Sequence, residues 1–422
     1  MVGAWEPVNL ARGTRGHLPR VAGPPIVPRL FHSSFPLYPA ATVLVHRLSR
    51  PFPVRQRMAR VHPALTSPAA PFGAPFGWLL LSLLLALLLG GCAVVDPSQR
   101  DWPAPGVSWE ETLVVDGLPE RLLIRGQDAR NPVLLFLHGG PGFPAAPFRQ
   151  VNHDLERYFT VVHWDQRGTG HSYLPGQIPE ETMRVEQFVR ETLAVTRVLC
   201  RRFGQRKIYL IGHSWGTLPA ILAAGREPRL YHAYIALSQL VDLKESQRRL
   251  TAEALARASR LPPDGRAERL RAVGPTPYRD LAKLDQAWDL IASFSPPVRN
   301  RASTLRLAAL SATSRYYTLF ELQTTRDGYR YSRARLIPQL YAYDLRRQLP
   351  RMDTPVYFFV GQRDVTFGLS LQEDYYRQLR DPAGKHFVVF RDTTHWPHIE
   401  QPRDFLAQMR RVRDETWHPG KP

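Results

Sequence analysis

Ser214 stands where an apolar β-type run breaks into a glycine-flanked turn. Ile208-Tyr209-Leu210-Ile211 leads into Gly212-His213-Ser214-Trp215-Gly216, and the helix-compatible residues 217–225 follow at once. G-x-S-x-G between a strand and a helix is the pattern of an activated serine nucleophile. The two glycines fit because so sharp a turn leaves no room for β-carbons on either side of the serine. Such a turn lifts the hydroxyl above the edge of a sheet. It also aims the amide of Trp215, at the start of the helix, toward the place where an oxyanion would form. The chemistry indicated is attack on a carbonyl.

The elements that would position this turn are legible around it. Residues 132–137 are continuously apolar, as in a strand buried on both faces, and end in His138-Gly139-Gly140-Pro141-Gly142. Residues 161–164 read as the next strand and end in Asp165-Gln166-Arg167-Gly168-Thr169-Gly170-His171-Ser172. Residues 109–115 and 121–125 read as a hairpin about Asp116-Gly117. Residues 148–159 and 182–203 are predicted helices, the second with Thr182 as its N-cap and Gly204 just past its end. Cys200 lies on the Val185, Phe188, Thr192, Thr196, Leu199 stripe of that helix, where a buried free thiol is expected. Further strands are predicted at 233–237, 354–360 and 385–390, and a last helix at 405–412.

H-G-G-P-G after one strand, D-Q-R-G-x-G-x-S after the next and G-x-S-W-G after a third resemble the α/β-hydrolase superfamily, and within it the prolyl-iminopeptidase group. The resemblance runs over roughly residues 107–415. The group usually has Gly where this chain has His213, and Ser or Ala where it has Thr169. The resemblance implies an α/β fold, a mostly parallel sheet with helices on both faces and a helical cap inserted over Ser214. It also implies a triad in the chain order Ser214, Asp364, His395. Asp364 would fix the tautomer of His395, which would accept the serine proton. Asp242 is the alternative acid and His398 the alternative base. The H-G-G-P-G loop is expected to add the amide of Gly140 to that of Trp215 in an oxyanion hole. His138 reads as structural, and Asp165 and Arg167 as pins between their loop and its neighbours. A serine nucleophile disfavours the related dehalogenases and epoxide hydrolases, which use an aspartate.

From residue 243 to 350 the strand signals cease. Pro262-Pro263, Pro275, Pro277 and Pro296-Pro297 separate short helical patterns, and the resemblance makes this segment the cap. It carries 20 Lys/Arg against 10 Asp/Glu, nearly all the excess of residues 92–422, which hold 47 against 36. Solvated helix faces explain such a balance; attraction to anionic lipid or an anionic substrate is the sharper reading. An aminopeptidase must hold a substrate ammonium on pocket carboxylates, for which Glu245 and Glu321 are candidates, with Asp242 just outside the cap. Tyr316, Tyr317, Phe320, Tyr329 and Tyr331 would line an apolar pocket or fill the core. The resemblance favours release of an N-terminal residue, proline above all, from a peptide. The basic cap and the lack of an acidic signature favour an ester, amide or lipid-like substrate. A non-catalytic binding protein is a third reading, against which the joint presence of nucleophile, acid, base and oxyanion loop weighs.

The formal charge of +19 invites a nucleic-acid partner. Nine Lys/Arg against one acid fall in residues 1–91, however, and no basic run interleaved with aromatics follows, so that partner is set aside. No metal-ligand cluster or dinucleotide fingerprint indicates a cofactor. Cys92 and Cys200 are too few for a disulfide framework. Residues 1–57, rich in Pro and Arg, are expected to be disordered or untranslated, with Met58 as the true start. Residues 78–89 form an apolar run of about twelve residues, short of the ~20 that span a bilayer but fitting a signal-peptide core. Leu89-Gly90-Gly91-Cys92 resembles the bacterial lipobox. That resemblance implies a lipidated Cys92 as first residue of a mature envelope protein, held off the bilayer by a tether over 93–106. Oligomeric state is not legible.

Overall fold

The structure, a computed structural model, describes residues 100–318 and 321–418. The expectations for residues 1–57, Met58, the 78–89 run, Cys92 and Phe320 lie outside the described residues.

Eight strands form one sheet: β1 (Val107–Val115), β2 (Leu118–Gly126), β3 (Val133–Leu137), β4 (Thr160–Trp164), β5 (Ile208–His213), β6 (Tyr231–Leu237), β7 (Val356–Gly361) and β8 (Lys385–Phe390). Their spatial order is β1-β2-β4-β3-β5-β6-β7-β8. The first two pairings, β1 with β2 and β2 with β4, are antiparallel, and every later one is parallel. The opening hairpin turns on Asp116 (φ 43°) and Gly117 (φ 81°), the paired left-handed residues that match strand twist.

The helices are α1 (Val185–Arg202), α2 (Thr217–Arg226), α3 (Leu243–Ala258), α4 (Arg266–Ala272), α5 (Leu281–Ser293), α6 (Thr304–Ala312), α7 (Glu321–Leu340), α8 (Leu345–Gln348), α9 (Leu369–Gln378), α10 (Pro397–Glu400) and α11 (Pro402–Thr416). The central strands are continuously apolar because both faces are covered. Leu210, Tyr234, Ala236 and Phe358 pack with Phe188 and Leu199 of α1, Leu218 of α2 and Tyr375 of α9. The alternate residues Tyr209, Ile211, Ile235 and Phe359 pack with Leu155 and with Phe405 and Met409 of α11. The sheet edge that carries Ser214 is therefore gripped from both sides.

Two local expectations change. The predicted N-cap role of Thr182 is not observed: α1 begins after Arg184, and Thr182 lies in a 3-10 turn, its hydroxyl donating to Pro179 O at 2.6 Å. Residues Ala146–Arg157 are a 3-10 helix rather than an α-helix, broken at Asn152.

Helices α3 to α8 lie between β6 and β7 in the chain. Asp242, Asp280, Ser303 and Asp344 each cap the helix that follows, accepting from backbone amides. Such caps start short helices that propensity alone would leave frayed. Helix α7 rests directly on the loops after β3 and β4. A β-carbon on Gly142 would come within 2.9 Å of Tyr329 Cα, and the Ser332 hydroxyl donates to Gly168 O at 2.9 Å.

Candidate active site

The turn after β5 is as tight as its glycines imply. A β-carbon on Gly212 would lie 2.5 Å from Gly216 O, and one on Gly216 would lie 2.4 Å from Leu137 O. Ser214 itself has φ 55°, a left-handed conformation that a serine holds only when its surroundings impose it. Thr217 supplies part of that restraint. Its hydroxyl donates to Ser214 O at 2.5 Å and accepts from the Leu240 amide at 3.0 Å, tying the turn to the end of β6.

Asp364 and His395 are brought together from two other loops. His395 Nδ1 lies 3.0 Å from Asp364 Oδ1, and the carboxylate also accepts from the amides of Thr366 (2.8 Å) and Phe367 (3.2 Å). Gln372 of α9 donates to its other oxygen at 3.3 Å. Burial opposes ionisation of Asp364, yet the His395 ring and these donors outweigh it and hold the carboxyl below its ordinary pKa. The His395 loop passes so close to β7 that a β-carbon on Gly361 would fall 1.8 Å from Thr394 O. Glu400 of α10 fixes the same loop, accepting from the Thr394 amide (2.6 Å) and hydroxyl (2.7 Å) and from the Ala302 amide (2.7 Å). His395 packs against His213, with ring centroids 5.1 Å apart and its carbonyl 3.0 Å from His213 Nε2. Its own Nε2 has no hydrogen-bond partner, so no bond to the Ser214 hydroxyl is formed here.

Gln166 joins the three loops around the serine. Its side chain donates to His138 O at 3.2 Å and accepts from Trp215 Nε1 at 3.2 Å, and its amide donates to His138 Nε2 at 3.2 Å. An amide can donate only to an unprotonated nitrogen, so the remaining proton of His138 sits on Nδ1, 2.8 Å from Gly139 O. Both ring nitrogens are thus engaged structurally. Arg167 donates to Glu191 (Nε to Oε1, 2.7 Å) and to Thr182 (3.1 Å), and Asp165 accepts from the His171 amide (3.1 Å) and the Tyr317 hydroxyl. Both residues hold their loop to its neighbours, as expected. Gly140 has φ 118°, open to glycine alone, and its amide meets no acceptor among the described residues.

Behind the loop lies a cavity of about 20 Å³, close to the space one water needs. Phe136, His138, Phe143, His163, His213 and His398 contribute to its walls. Burial depresses all four imidazoles, His138 to about 4, His163 and His398 to about 3, and His213 well below its usual value. Nδ1 of His163 and of His398 have no partner. His213, where the resemblance expects glycine, was the sequence signal for this cluster.

The alternatives separate cleanly. Asp242 caps α3 and pairs with Arg346 at 3.0 Å, away from His395. His398 belongs to the imidazole cluster and has no carboxylate partner among the described residues. Glu245 is corrected: it is paired with Arg248 and Arg249 at 2.7 Å each, which hold its carboxyl near 2 and engage both of its oxygens. Glu321 accepts from His171 (2.9 Å) and from Thr318 (2.7 and 2.9 Å), and so joins α7 to the Asp165 loop. Tyr316 is likewise corrected from pocket lining to a buried partner of Arg125, at 2.7 Å, under the Arg149 guanidinium. Tyr329 faces the loop, its ring 6.1 Å from that of Phe143. Gln166, Gly361, Gln372 and Glu400 were not singled out from sequence, because their partners are set by tertiary contacts and no spacing announces them. Cys200 is a half-buried free thiol.

Comparison with known proteins agrees with this architecture. Residues 132–402 match the α/β hydrolase fold family. A probable aminopeptidase of Bacillus subtilis, YbaC, is 30% identical over 305 residues, covering 71% of this chain and 94% of its own. A proline iminopeptidase of Clostridioides difficile is 29% identical over 136 residues, 31% of this chain and 44% of its own. The crystal structure of a proline iminopeptidase from Mycobacterium smegmatis superposes with a TM-score of 0.54 at 20% identity, over 73% of this chain and 98% of its own, a likeness of fold. The chain belongs to the α/β-hydrolase family and is a hydrolase.

Proposed function

We propose that this hydrolase works through Ser214, His395 and Asp364 and forms an acyl-enzyme. His395 Nε2 takes the Ser214 proton as the hydroxyl oxygen attacks the substrate carbonyl carbon, and Asp364 stabilises the imidazolium that results. The amides of Trp215 and Gly140 hold the oxyanion. His395 then returns the proton to the leaving amine or alcohol, and a water, deprotonated by the same ring, releases the acid. The observation that carries this reading is the 3.0 Å contact of His395 with Asp364 while Nε2 stays unpartnered next to the Ser214 turn. An apo site whose catalytic hydrogen bond closes only with substrate has this geometry.

The substrate class favoured is a peptide or arylamide with a free N-terminal residue, proline above all, because the relative matched over nearly its whole length is a probable aminopeptidase. A carboxylic ester is the second reading. It is favoured by the commitment of Glu245 to two arginines and of Glu321 to His171, which leaves neither of these carboxylates unengaged for an ammonium. Lipidation of Cys92, and with it an envelope location, forms part of the proposal. It rests on the L-G-G-C sequence; among the described residues no helix is long and apolar enough to cross a membrane.

A fluorophosphonate probe tests the triad. Wild type should label, and Ser214→Ala and His395→Ala should not, with circular dichroism unchanged. Prolyl arylamide against short acyl esters then separates peptidase from esterase. An unlabelled but folded wild type would sink the nucleophile assignment.

A further inference from the structure

We propose that the outer face of α6 docks on an anionic lipid surface, the bilayer to which Cys92 is tethered; the tether part rests on the lipidation proposed above. Helix α6 carries its polarity the wrong way round for a helix facing water. None of residues 305–312 is buried, and Leu305, Ala308, Ala309 and Ala312, spaced i, i+3, i+4 and i+7, are all exposed, Leu305 at 83%. These four share one face. The polar groups point inward and hold the helix in place: Arg306 donates to Ile399 O at 2.9 Å, and Gln150 donates to Leu310 O and Thr313 Oγ1 at 3.0 Å each. The apolar face is therefore presented on a fixed support.

Two further observations choose the occupant. Arg299 and Arg301, in the segment leading into α6, are exposed and pair with no carboxylate among the described residues. An apolar face preceded in the chain by exposed cations is the composition of a helix that lies in an anionic interface. The chain that bears Cys92 also enters the folded body here. Asp101 pairs with Arg315, three residues beyond the end of α6, at 3.2 Å. Eight residues lie between Cys92 and Asp101, a reach of at most about 30 Å over the nine Cα steps. An acyl chain on Cys92 therefore holds this corner of the molecule, rather than the opposite edge of the sheet, next to the membrane.

Hydrogen exchange on the full-length protein tests the docking. Backbone amides of α6 are followed without lipid, with phosphatidylcholine vesicles, and with vesicles that also contain phosphatidylglycerol. The anionic vesicles should slow α6 exchange at least about fivefold, the effect expected of one basic residue near an anionic surface. Leu305→Glu, or Arg299→Glu with Arg301→Glu, should abolish the slowing and leave probe labelling without lipid unchanged. Equal exchange with and without anionic vesicles overturns the proposal. So does protection that needs no vesicles and grows with protein concentration, which would assign the face to a second copy. Intact mass reports separately on the anchor: an unmodified Cys92 defeats lipidation, while α6 exchange at saturating lipid still decides docking.

Discussion

Asp364 is a buried carboxylate kept charged by four groups at once: the His395 ring, two backbone amides and Gln372. That arrangement separates its structural part from its proposed electrostatic one. In Asp364→Asn the amide oxygen can still accept from Thr366 and Phe367, so the loop should keep its shape. The substitution removes the charge that favours an imidazolium, while the same oxygen can still accept from His395 Nδ1. A fall in kcat of about 10⁴-fold is expected, with a urea midpoint close to wild type. A variant that unfolds at much lower urea, or one that keeps most of its kcat, would show that Asp364 serves mainly to build the loop. The sign of its stability linkage is also fixed. A carboxyl whose folded pKa is lowered stabilises above its unfolded value, and that contribution is lost as pH falls through the folded one.

At the scale of elements, the site depends on how closely β7 approaches the His395 loop. Gly361 ends β7 with no β-carbon, and Thr394 O occupies the space one would need, at 1.8 Å. Both partners are backbone, so neither can swing aside. Gly361→Ala must move the loop that Glu400 clamps from the other side, and with it His395. A loss of roughly 3 kcal/mol is expected, the upper range of overpacking, together with loss of fluorophosphonate labelling in the protein that remains folded. Unfolding in urea and labelling at matched folded fraction would check both parts. Sequence made the strands visible, because runs such as 132–137 and 208–211 are apolar on both faces, and it made Ser214 visible, because two glycines and a turn have few other uses. It also brought Asp364 and His395 forward as candidates, but only through resemblance. Gly361 looked like any strand-ending glycine, and Glu400 like a surface acid before Gln401-Pro402. Their roles come from residues 33 and 98 positions away, Thr394 and Ala302, and no local pattern encodes such a distance. Glu245 and Tyr316 failed as pocket residues for the same reason: arginines close in space claimed them.

Over the whole molecule, buried titratable groups predict how stability depends on pH. His138, His163, His213 and His398 are held neutral by burial, three of them to about 3 or 4 and His213 well below its usual value. Unfolded, each binds a proton near pH 6.5. Between their folded and unfolded values the unfolded chain is the one that holds more protons, so stability rises with pH. Glu120 and Glu191 act in the opposite sense. Burial raises both, so in the folded state they keep protons that the unfolded chain has released above about pH 4.5. Counting His232, which burial lowers to about 4, and Asp381, which burial raises to about 6, five imidazoles oppose three carboxyls, so the unfolded chain holds more protons near pH 5.5 and stability rises with pH there. His171 does not disturb this window. Its hydrogen bond to Asp165, aided by Glu321, raises it, so its contribution is complete below pH ~6.5 and is lost only above that. The melting temperature should therefore fall steeply as pH is lowered from 6.5 to 5, and His163→Gln should make that fall shallower by about one proton. A melting temperature flat across this range would mean that water reaches the imidazole cluster and lets it titrate in the folded protein. The unpartnered Nδ1 atoms of His163 and His398 would then face a hydrated channel behind the Ser214 loop.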